Sequence, residues 1–182
     1  MRFSLPAIAA GGLVAVAVLT VADIATSQAD TPALDDAVIL SALAFTHDAE
    51  IEVGELGEKK GYAQEVKDMG KSFAAAHKAA KEEVKALGDK LDLKVGLPDD
   101  DPMRKAHDDT KARLGELEGR PFDKAWVDQQ VTFHENALEK VKAMIPTATN
   151  EEVKALLGRT QTSVQTHLDA AKGLQTKIVA TQ

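Results

Sequence analysis

Apolar residues recur every three or four positions along most of the chain after residue 30, which is the spacing of one buried face of an α-helix. Two stripes are the most regular: one contains Val66, Phe73 and Val84, and another contains Leu157 and Val164. The residues between them are mainly Ala, Lys, Glu, Leu and Gln, which are good helix formers. The pattern predicts four long helices and one short one, at residues 35–60, 63–91, 102–117, 121–145 and 150–179.

Residues that break or cap helices mark the boundaries between these segments. Gly61 separates the first two helices, and Pro146 stops the fourth. Pro102 follows three aspartates, which predicts an N-cap with proline in the first turn and acids at the positive end of the helix dipole. Thr149 and Glu152 have the spacing of a capping box at the start of the fifth helix.

The lengths of the connections indicate how the helices pack. The long helices, of about 24–30 residues, would each be roughly 35–45 Å long. Short connections within the first and the last helix pair favour antiparallel neighbours, and the longer link after Leu91 has room for a crossover. We therefore expect a single all-α domain over residues 30–182, an antiparallel four-helix bundle with one additional short helix.

Residues 1–29 have the features of a secretory signal peptide. Arg2 precedes an apolar run over residues 5–22, and Ser27 and Ala29 fit the small-residue pattern of a signal-peptidase site. Processing after Ala29 would give a periplasmic or secreted protein. The alternative is that the apolar run, which is just long enough to span a bilayer, is retained as an anchor. Two glycines and a proline within the run disfavour a stable span, so we expect no stable membrane insertion.

The composition excludes several classes of function. The 182 residues carry a net charge of -7, which argues against binding to a phosphate backbone, and aromatic residues make up only 4%, too few for broad stacking on single-stranded nucleic acid. The sequence has no cysteine, so disulfides, thiolate metal sites and iron–sulfur clusters are ruled out. It also has no glycine-rich phosphate loop and no nucleophilic serine motif. We expect no nucleic-acid partner and no enzymatic activity.

Polar residues interrupt the apolar faces of all four long helices. His77, His134 and His167 each continue the apolar stripe of their helix, and His47 and Glu50 share one face of the first helix. Imidazole nitrogens bind zinc, copper and iron, and a carboxylate supplies a hard oxygen ligand. The pattern predicts a metal site built from Glu50, His77, His134 and His167, with His47 as a further candidate ligand.

Counting along the helices places these five residues in the middle third of the bundle. His47 and His77 are about equally far from the first turn, and Glu50 lies roughly 7 Å from their level. His134 and His167 differ by about six residues in their distance from the last turn, or roughly 9 Å. The levels agree only in part, so a second interpretation stays open. In it, the His and Glu side chains form a hydrogen-bonded network that fixes the register of the helices without a metal.

Several short stretches resemble a bacterial protein family. They are AEIEVGEL at 49–56 with EVK at 65–67, FDKAW at 122–126 with QQV at 129–131, and His167 with Leu168. In this order, with His77 and His134 between them, they resemble the domain-of-unknown-function family numbered 4142, whose members are exported proteins with a ferritin-like helical bundle. The resemblance implies that Glu50, His77, His134 and His167 occupy the family's characteristic polar positions, and it implies no activity.

The sequence departs from the usual pattern of that family at two positions. An acidic residue commonly precedes the histidines of the second and fourth helices, but Ala76 and Phe133 stand there. A carboxylate that would orient each imidazole is therefore missing. A di-iron carboxylate centre of the ferritin type needs Glu-x-x-His on two helices, whereas the residue three before each bundle histidine is apolar. We therefore exclude ferroxidase chemistry.

The expected function is non-enzymatic binding of a transition metal, zinc or copper before iron, for storage, sensing or buffering outside the cytoplasm. The alternative is a structural or interaction protein of the cell envelope, in which the His and Glu residues form the network described above. An open metal position could activate water, but no general base is evident beyond Glu50. His107, on the short helix, is expected to be a packing or surface residue. The sequence does not indicate the oligomeric state or a particular envelope partner.

Overall fold

The computed structural model describes residues 35–180, so the expected signal peptide and its cleavage site lie outside the described residues. The described chain contains five α-helices and no strand. They are α1 (Asp36–Lys60), α2 (Gln64–Lys90), α3 (Pro102–Gly115), α4 (Gly119–Met144) and α5 (Glu151–Ala180). Each begins and ends within two residues of its predicted bounds, and the all-α prediction is confirmed. Within residues 35–180, every helix is too short or too polar to cross a membrane.

The helices form two hairpins that pack into a four-helix bundle. α1 pairs with α2 and α4 pairs with α5, while α1 also contacts α4 and α2 contacts α5. Asp123, near the start of α4, accepts hydrogen bonds from the backbone N–H groups of Tyr62 and Ala63 in the α1–α2 turn, at 2.7 and 2.8 Å. The link after α2 and the helix α3 therefore carry the chain back along the bundle to that turn. The expected crossover is confirmed, and neighbouring long helices are antiparallel.

A second buried aspartate holds the other turn of the bundle. Asp36, at the start of α1, accepts hydrogen bonds from the backbone of Thr149 and Asn150 and from the Thr149 hydroxyl. Burial raises the pKa of Asp36, but these hydrogen bonds outweigh it and hold the pKa below its usual value. Each hairpin thus has its turn fixed by a carboxylate from the other hairpin, which sets their relative register.

This contact changes the role expected for Thr149. The hydroxyl of Thr149 donates to Asp36 Oδ2 at 2.6 Å. Asn150 takes the capping position instead, because its Oδ1 accepts from the backbone N–H of Glu152 at 2.8 Å. The predicted capping box is therefore wrong at this residue, since a buried carboxylate competes for the hydroxyl.

Two apolar clusters enclose the middle of the bundle. One cluster, at the end where α4 turns into α5, contains Ile39, Leu40, Val153 and Leu157. The other, at the α1–α2 turn, contains Val53, Val66, Leu114, Phe122 and Trp126. The level between them holds the polar residues that the sequence singles out on the four long helices, so these side chains lie between two apolar layers.

α1 and α2 approach until their backbones touch, because both carry glycine at the contact. A methyl group on Gly70 would lie 2.5 Å from the carbonyl oxygen of Gly54 and 2.6 Å from the backbone nitrogen of Glu58. A methyl group on Gly57 would lie 2.5 Å from the ring of Trp126, whose Nε1 donates to the Val53 carbonyl at 2.8 Å. The close packing of α1 against α2 therefore depends on Gly54 and Gly70, and the packing of α1 against Trp126 of α4 depends on Gly57.

Gly70→Ala is expected to destabilise the bundle by about 1–3 kcal/mol, because the added methyl group meets backbone that cannot move independently. Gly173→Ala is the matched control, since Gly173 lies inside α5 with open space at its Cβ position. That change should stabilise the protein by about 0.5–1 kcal/mol through helix propensity. Urea unfolding of both variants measures the difference. Equal effects of the two substitutions would contradict the close helix contact.

Candidate metal centre

Three histidines from three different helices converge in the middle of the bundle. One ring nitrogen from each of His77 (α2), His134 (α4) and His167 (α5) lies within 4.8 Å of the other two. The ring centroids are 5.1 Å apart for His77 and His167 and 5.4 Å apart for His134 and His167. His77 and His134 are buried, and His167 is half-buried. The structure thus brings together three of the five residues predicted for the site.

His134 and His167 are closer than their distances from the last turn suggest. Counting residues gives a separation along the bundle of roughly 9 Å. A helical side chain leans toward the N-terminus of its own helix. His134 is nearer to the turn and leans away from it, whereas His167 is farther from the turn and leans toward it. Because the two helices are antiparallel, both side chains point toward the same level of the bundle, and the rings come together.

The hydrogen bonds of these rings leave one buried nitrogen of each ring without a partner in the described chain. His134 Nδ1 lies 2.8 Å from the carbonyl oxygen of Gln130, which can only accept, so Nδ1 carries the proton and Nε2 of the neutral ring has a free lone pair. His77 Nε2, His134 Nε2 and His167 Nδ1 are buried and have no hydrogen-bond partner within the described chain. An unpaired buried polar atom is costly, so this arrangement suits a ligand that accepts lone pairs.

His47, on α1, contacts the cluster through the ring of His77. Its Nδ1 lies 3.0 Å from Nδ1 of His77, so one of these nitrogens donates and the other accepts. When His77 donates, its Nε2 has a free lone pair. His47 and the Gln130 carbonyl therefore hold the rings of His77 and His134, in the role of the carboxylates that the sequence lacks at Ala76 and Phe133.

Glu50 is buried on α1 beside this cluster but lies outside the group of three converging nitrogens. It is 1% exposed, and burial raises the pKa of its carboxyl to about 8, against the opposing effect of a hydrogen bond from Gln130. The group is therefore protonated at neutral pH. Its Oε2 has no hydrogen-bond partner within residues 35–180. Metal ligation by Glu50 or His47 stays a prediction.

Burial also keeps the histidines neutral. It lowers the pKa of His47 and of His134 to about 4, lowers that of His77 to about 2, and lowers that of His167 as well. Phe73 stacks on the His167 ring at a centroid distance of 4.3 Å and shields it from water. At neutral pH the cluster is thus a set of uncharged nitrogen donors in an apolar surrounding.

A cavity of about 470 Å³ opens beside the cluster, between α1, α3 and α4. His47, Glu50, His77 and His134 all contribute to its lining. The sequence does not predict this cavity, because no local pattern reports how far apart α1 and α4 lie. His107 lies outside the cluster, where its Nε2 contacts Glu52 at 3.1 Å.

Gln130 contacts the cluster, although the sequence pattern did not single it out. It is fully buried, its carbonyl accepts from His134, and its side chain bonds to Glu50. Its position four residues before His134 puts it on the same helix face, which is a signal that could have identified it.

Solved structures with the same fold include proteins of the DUF305 group and a copper-bound protein. A DUF305 fragment from Deinococcus radiodurans matches with a TM-score of 0.70 at 12% identity, over 80% of this chain and 99% of that one. A DUF305 protein from Streptomyces coelicolor matches with a TM-score of 0.67 at 16% identity, over 79% of this chain and 93% of the other. CopM in its Cu(I)-bound form matches with a TM-score of 0.63 at 14% identity, over 79% and 97% of the two chains. At these identities the likeness shows the fold alone.

The sequence itself shows the family. No curated protein matches the chain. Residues 22–174 match the family described as Domain of unknown function (DUF4142). The matched residues include nearly all of the helical bundle. The resemblance seen in the sequence motifs is confirmed, and the chain belongs to the DUF4142 family.

Proposed function

We propose that this protein binds one transition-metal ion in the middle of its bundle, through His77, His134 and His167, and that the ion is copper. The observation that carries the proposal is that His77, His134 and His167 bring one ring nitrogen each within 4.8 Å of one another, and that each of these rings has a buried nitrogen without a hydrogen-bond partner in the described chain. Each unpaired buried polar atom costs about 1–3 kcal/mol. A bound ion would relieve all three costs at once.

The spacing of the nitrogens fits such an ion. Three points within 4.8 Å of one another have a common centre no more than roughly 2.8 Å from each of them. Metal–imidazole bonds are about 2.0–2.1 Å long. Each nitrogen would therefore have to move inward by roughly 0.7 Å at most, which small side-chain rotations can supply.

The charge of the surroundings favours copper over zinc. The three donors are neutral, and Glu50 is protonated at neutral pH. A divalent ion here would leave two positive charges without a counter-charge in an apolar interior, whereas Cu(I) would leave one. Imidazole is a suitable donor for copper. The fold likeness to CopM, which has been solved with Cu(I) and with Cu(II), agrees with this choice. Zinc is the second candidate, and it would require Glu50 to lose its proton.

The biological role in the proposal is binding without catalysis. Storage, sensing or buffering of the ion needs only His77, His134 and His167 in an apolar surrounding. Export belongs to the proposal as well, and it is supported by the signal-peptide pattern over residues 1–29. An envelope partner is compatible with this role, but no described surface identifies one.

The alternative is a structural protein in which the cluster is a hydrogen-bonded network without metal. The contact between His47 and His77 and the one between His134 and Gln130 favour it. The three nitrogens that have no partner within the described chain count against it. The two functions differ in whether a metal changes the stability of the folded protein.

Saturating Cu(I), supplied without oxygen, should raise the melting temperature of the metal-free protein. An ion at about 100 times its dissociation constant adds about 2.7 kcal/mol of stability, which for a domain of this size is an increase of about 5–10 °C. His167→Gln should abolish most of this increase, because it removes one of the three donors. Differential scanning calorimetry measures each change.

His107→Gln is the matched control, since His107 lies outside the cluster and should leave the copper response intact. Glu50→Gln keeps an uncharged side chain and should also leave the Cu(I) response intact. If the melting temperature of the wild-type protein does not change with copper, zinc or iron, the metal-binding proposal fails.

Two opposing titrations should set the pH dependence of the stability of the metal-free protein. The buried histidines have lower pKa values when folded than the usual 6.5, so the unfolded chain binds more protons below that pH and stability falls toward pH 4. Glu50 has a raised pKa of about 8 when folded, so its contribution is lost as the pH rises toward 8. The part of that contribution lost between pH 6.5 and 8 should be about 1–2 kcal/mol, and the remaining deprotonation of the unfolded histidines offsets it in the wild-type protein.

Urea unfolding at pH 5, 6.5 and 8 measures these changes. Wild-type protein and Glu50→Gln are compared at each pH, because the histidine contribution is common to both. Between pH 6.5 and 8 the stability of the wild-type protein should fall by about 1–2 kcal/mol relative to that of Glu50→Gln, and both proteins should lose stability in acid. A difference between the two proteins that stays constant from pH 6.5 to 8 would contradict the protonated state assigned to Glu50.

A further inference from the structure

A groove of about 550 Å³ lies between α1, α2, α3 and the link that joins α2 to α3. Its volume is within the range of about 300–1,000 Å³ that is typical of small-molecule sites. Part of its lining is apolar and includes Ala44, Phe45, Leu93, Val95 and Leu97. The three histidines of the candidate metal centre do not line this groove, so the metal proposal makes no use of it.

Two carboxylates in the groove are already paired with cations of the protein. Asp48, on α1, accepts a hydrogen bond from Lys81 of α2 at 2.5 Å. Glu52, one turn farther along α1, accepts from Lys111 of α3 and contacts His107 Nε2 at 3.1 Å. These pairs leave other cations of the groove without a carboxylate partner.

Arg104, on α3, is the first of these cations, and its contacts leave part of its guanidinium group free. Nε donates to the carbonyl of Pro98 at 2.8 Å, and Nη2 donates to the carbonyl of Leu97 at 2.9 Å. The guanidinium carbon lies 5.3 Å from the centroid of the Phe45 ring, which also holds its orientation. Nη1 has no hydrogen-bond partner in the described chain and is not one of its buried unpaired atoms, so it is accessible to solvent. Nη1 and the second N–H of Nη2 therefore form a free edge that can bind both oxygens of one carboxylate.

Lys85 is the second cation, and it stands on the opposite wall of the groove. Lys81 pairs with Asp48 across the antiparallel helices α2 and α1. Lys85 is one turn farther along α2, which places it at the level of Phe45 on α1. Arg104 lies over Phe45 and therefore at the same level. Lys85 is exposed and forms no ion pair within residues 35–180, so both cations are open to a ligand.

We infer that this groove binds a small organic molecule with one carboxylate group on an apolar body. The carboxylate pairs with the free edge of Arg104 and with Lys85, and the apolar body covers the ring of Phe45. A neutral molecule would gain nothing from either cation. A doubly charged anion such as phosphate is disfavoured, because the exposed carboxylates of Asp89 and Asp108 also line the groove and the chain has a net charge of -7.

The test uses the metal-free protein, so its outcome does not depend on copper binding. The probes are 3-phenylpropanoate, 3-phenylpropan-1-ol and 3-phenylpropan-1-amine, which share one apolar body and are negative, neutral and positive at pH 7. Amide chemical shifts measured by NMR during titration give the dissociation constants and locate the site. We expect the carboxylate to bind at least about tenfold more tightly than the other two probes, because it alone makes charge-assisted hydrogen bonds to Arg104. The shifts should map to the groove, and added salt should weaken binding.

Two lysine variants on α2 test the location. Lys85→Gln removes a cation of the groove, whereas Lys71→Gln removes the same charge from an exposed position roughly 21 Å away along α2, outside the lining. Charges separated by more than about 8–10 Å at the surface are largely screened. Lys85→Gln should therefore weaken 3-phenylpropanoate binding about threefold, and Lys71→Gln should leave it unchanged.

A third variant tests the role of Arg104. Arg104→Lys keeps the positive charge but removes the planar edge, so it should weaken 3-phenylpropanoate binding at least about tenfold. The inference is overturned if 3-phenylpropanoate does not bind the wild-type protein, if the alcohol or the amine binds as tightly, if Arg104→Lys binds it as tightly as the wild type does, or if the two glutamine variants bind it equally. The glutamine pair decides the location even if Arg104→Lys displaces the link after α2.

Discussion

Burial of imidazole and carboxyl groups between two apolar clusters is the constraint on which the rest of this structure depends. Desolvation disfavours every charged form at this level, so the histidines stay neutral and Glu50 keeps its proton. Neutral rings can approach one another without repulsion, and their lone pairs remain available. Burial of the unpaired nitrogens therefore lowers the stability of the metal-free protein, and the same burial makes them a suitable set of metal donors.

The arrangement of the helices turns this constraint into a site. Asp36 and Asp123 fix the turns of the two hairpins against each other, which sets the depth at which the histidines meet. Glycines draw α1 and α2 into backbone contact, so His47 reaches His77 at 3.0 Å. α1 meets α4 closely where Trp126 packs on Gly57, and the space that remains farther along these two helices becomes the cavity. Close contacts at the α1–α2 turn and a gap farther along the bundle thus place a donor cluster next to an opening.

Local patterns predicted the helices and the inward position of His77, His134 and His167, because helical spacing fixes which face a residue occupies. They did not predict the distance between rings. The estimate from residue counting for His134 and His167 was too long, since it ignored the direction in which side chains lean. The bond between Asp36 and Thr149 joins residues 113 positions apart, and the cavity depends on the spacing of separate helices, neither of which a local pattern encodes. Whether Glu50 or His47 ligates a metal stays a prediction.

The measurement that tests the central claim most directly is the metal content of the protein, purified from its native cells without affinity tags or chelators. Elemental analysis should find about one copper ion per chain. Joint replacement of His77, His134 and His167 by glutamine should remove it while the helical circular dichroism is retained. A folded wild-type protein that contains no transition metal and takes up neither copper, zinc nor iron would contradict the account.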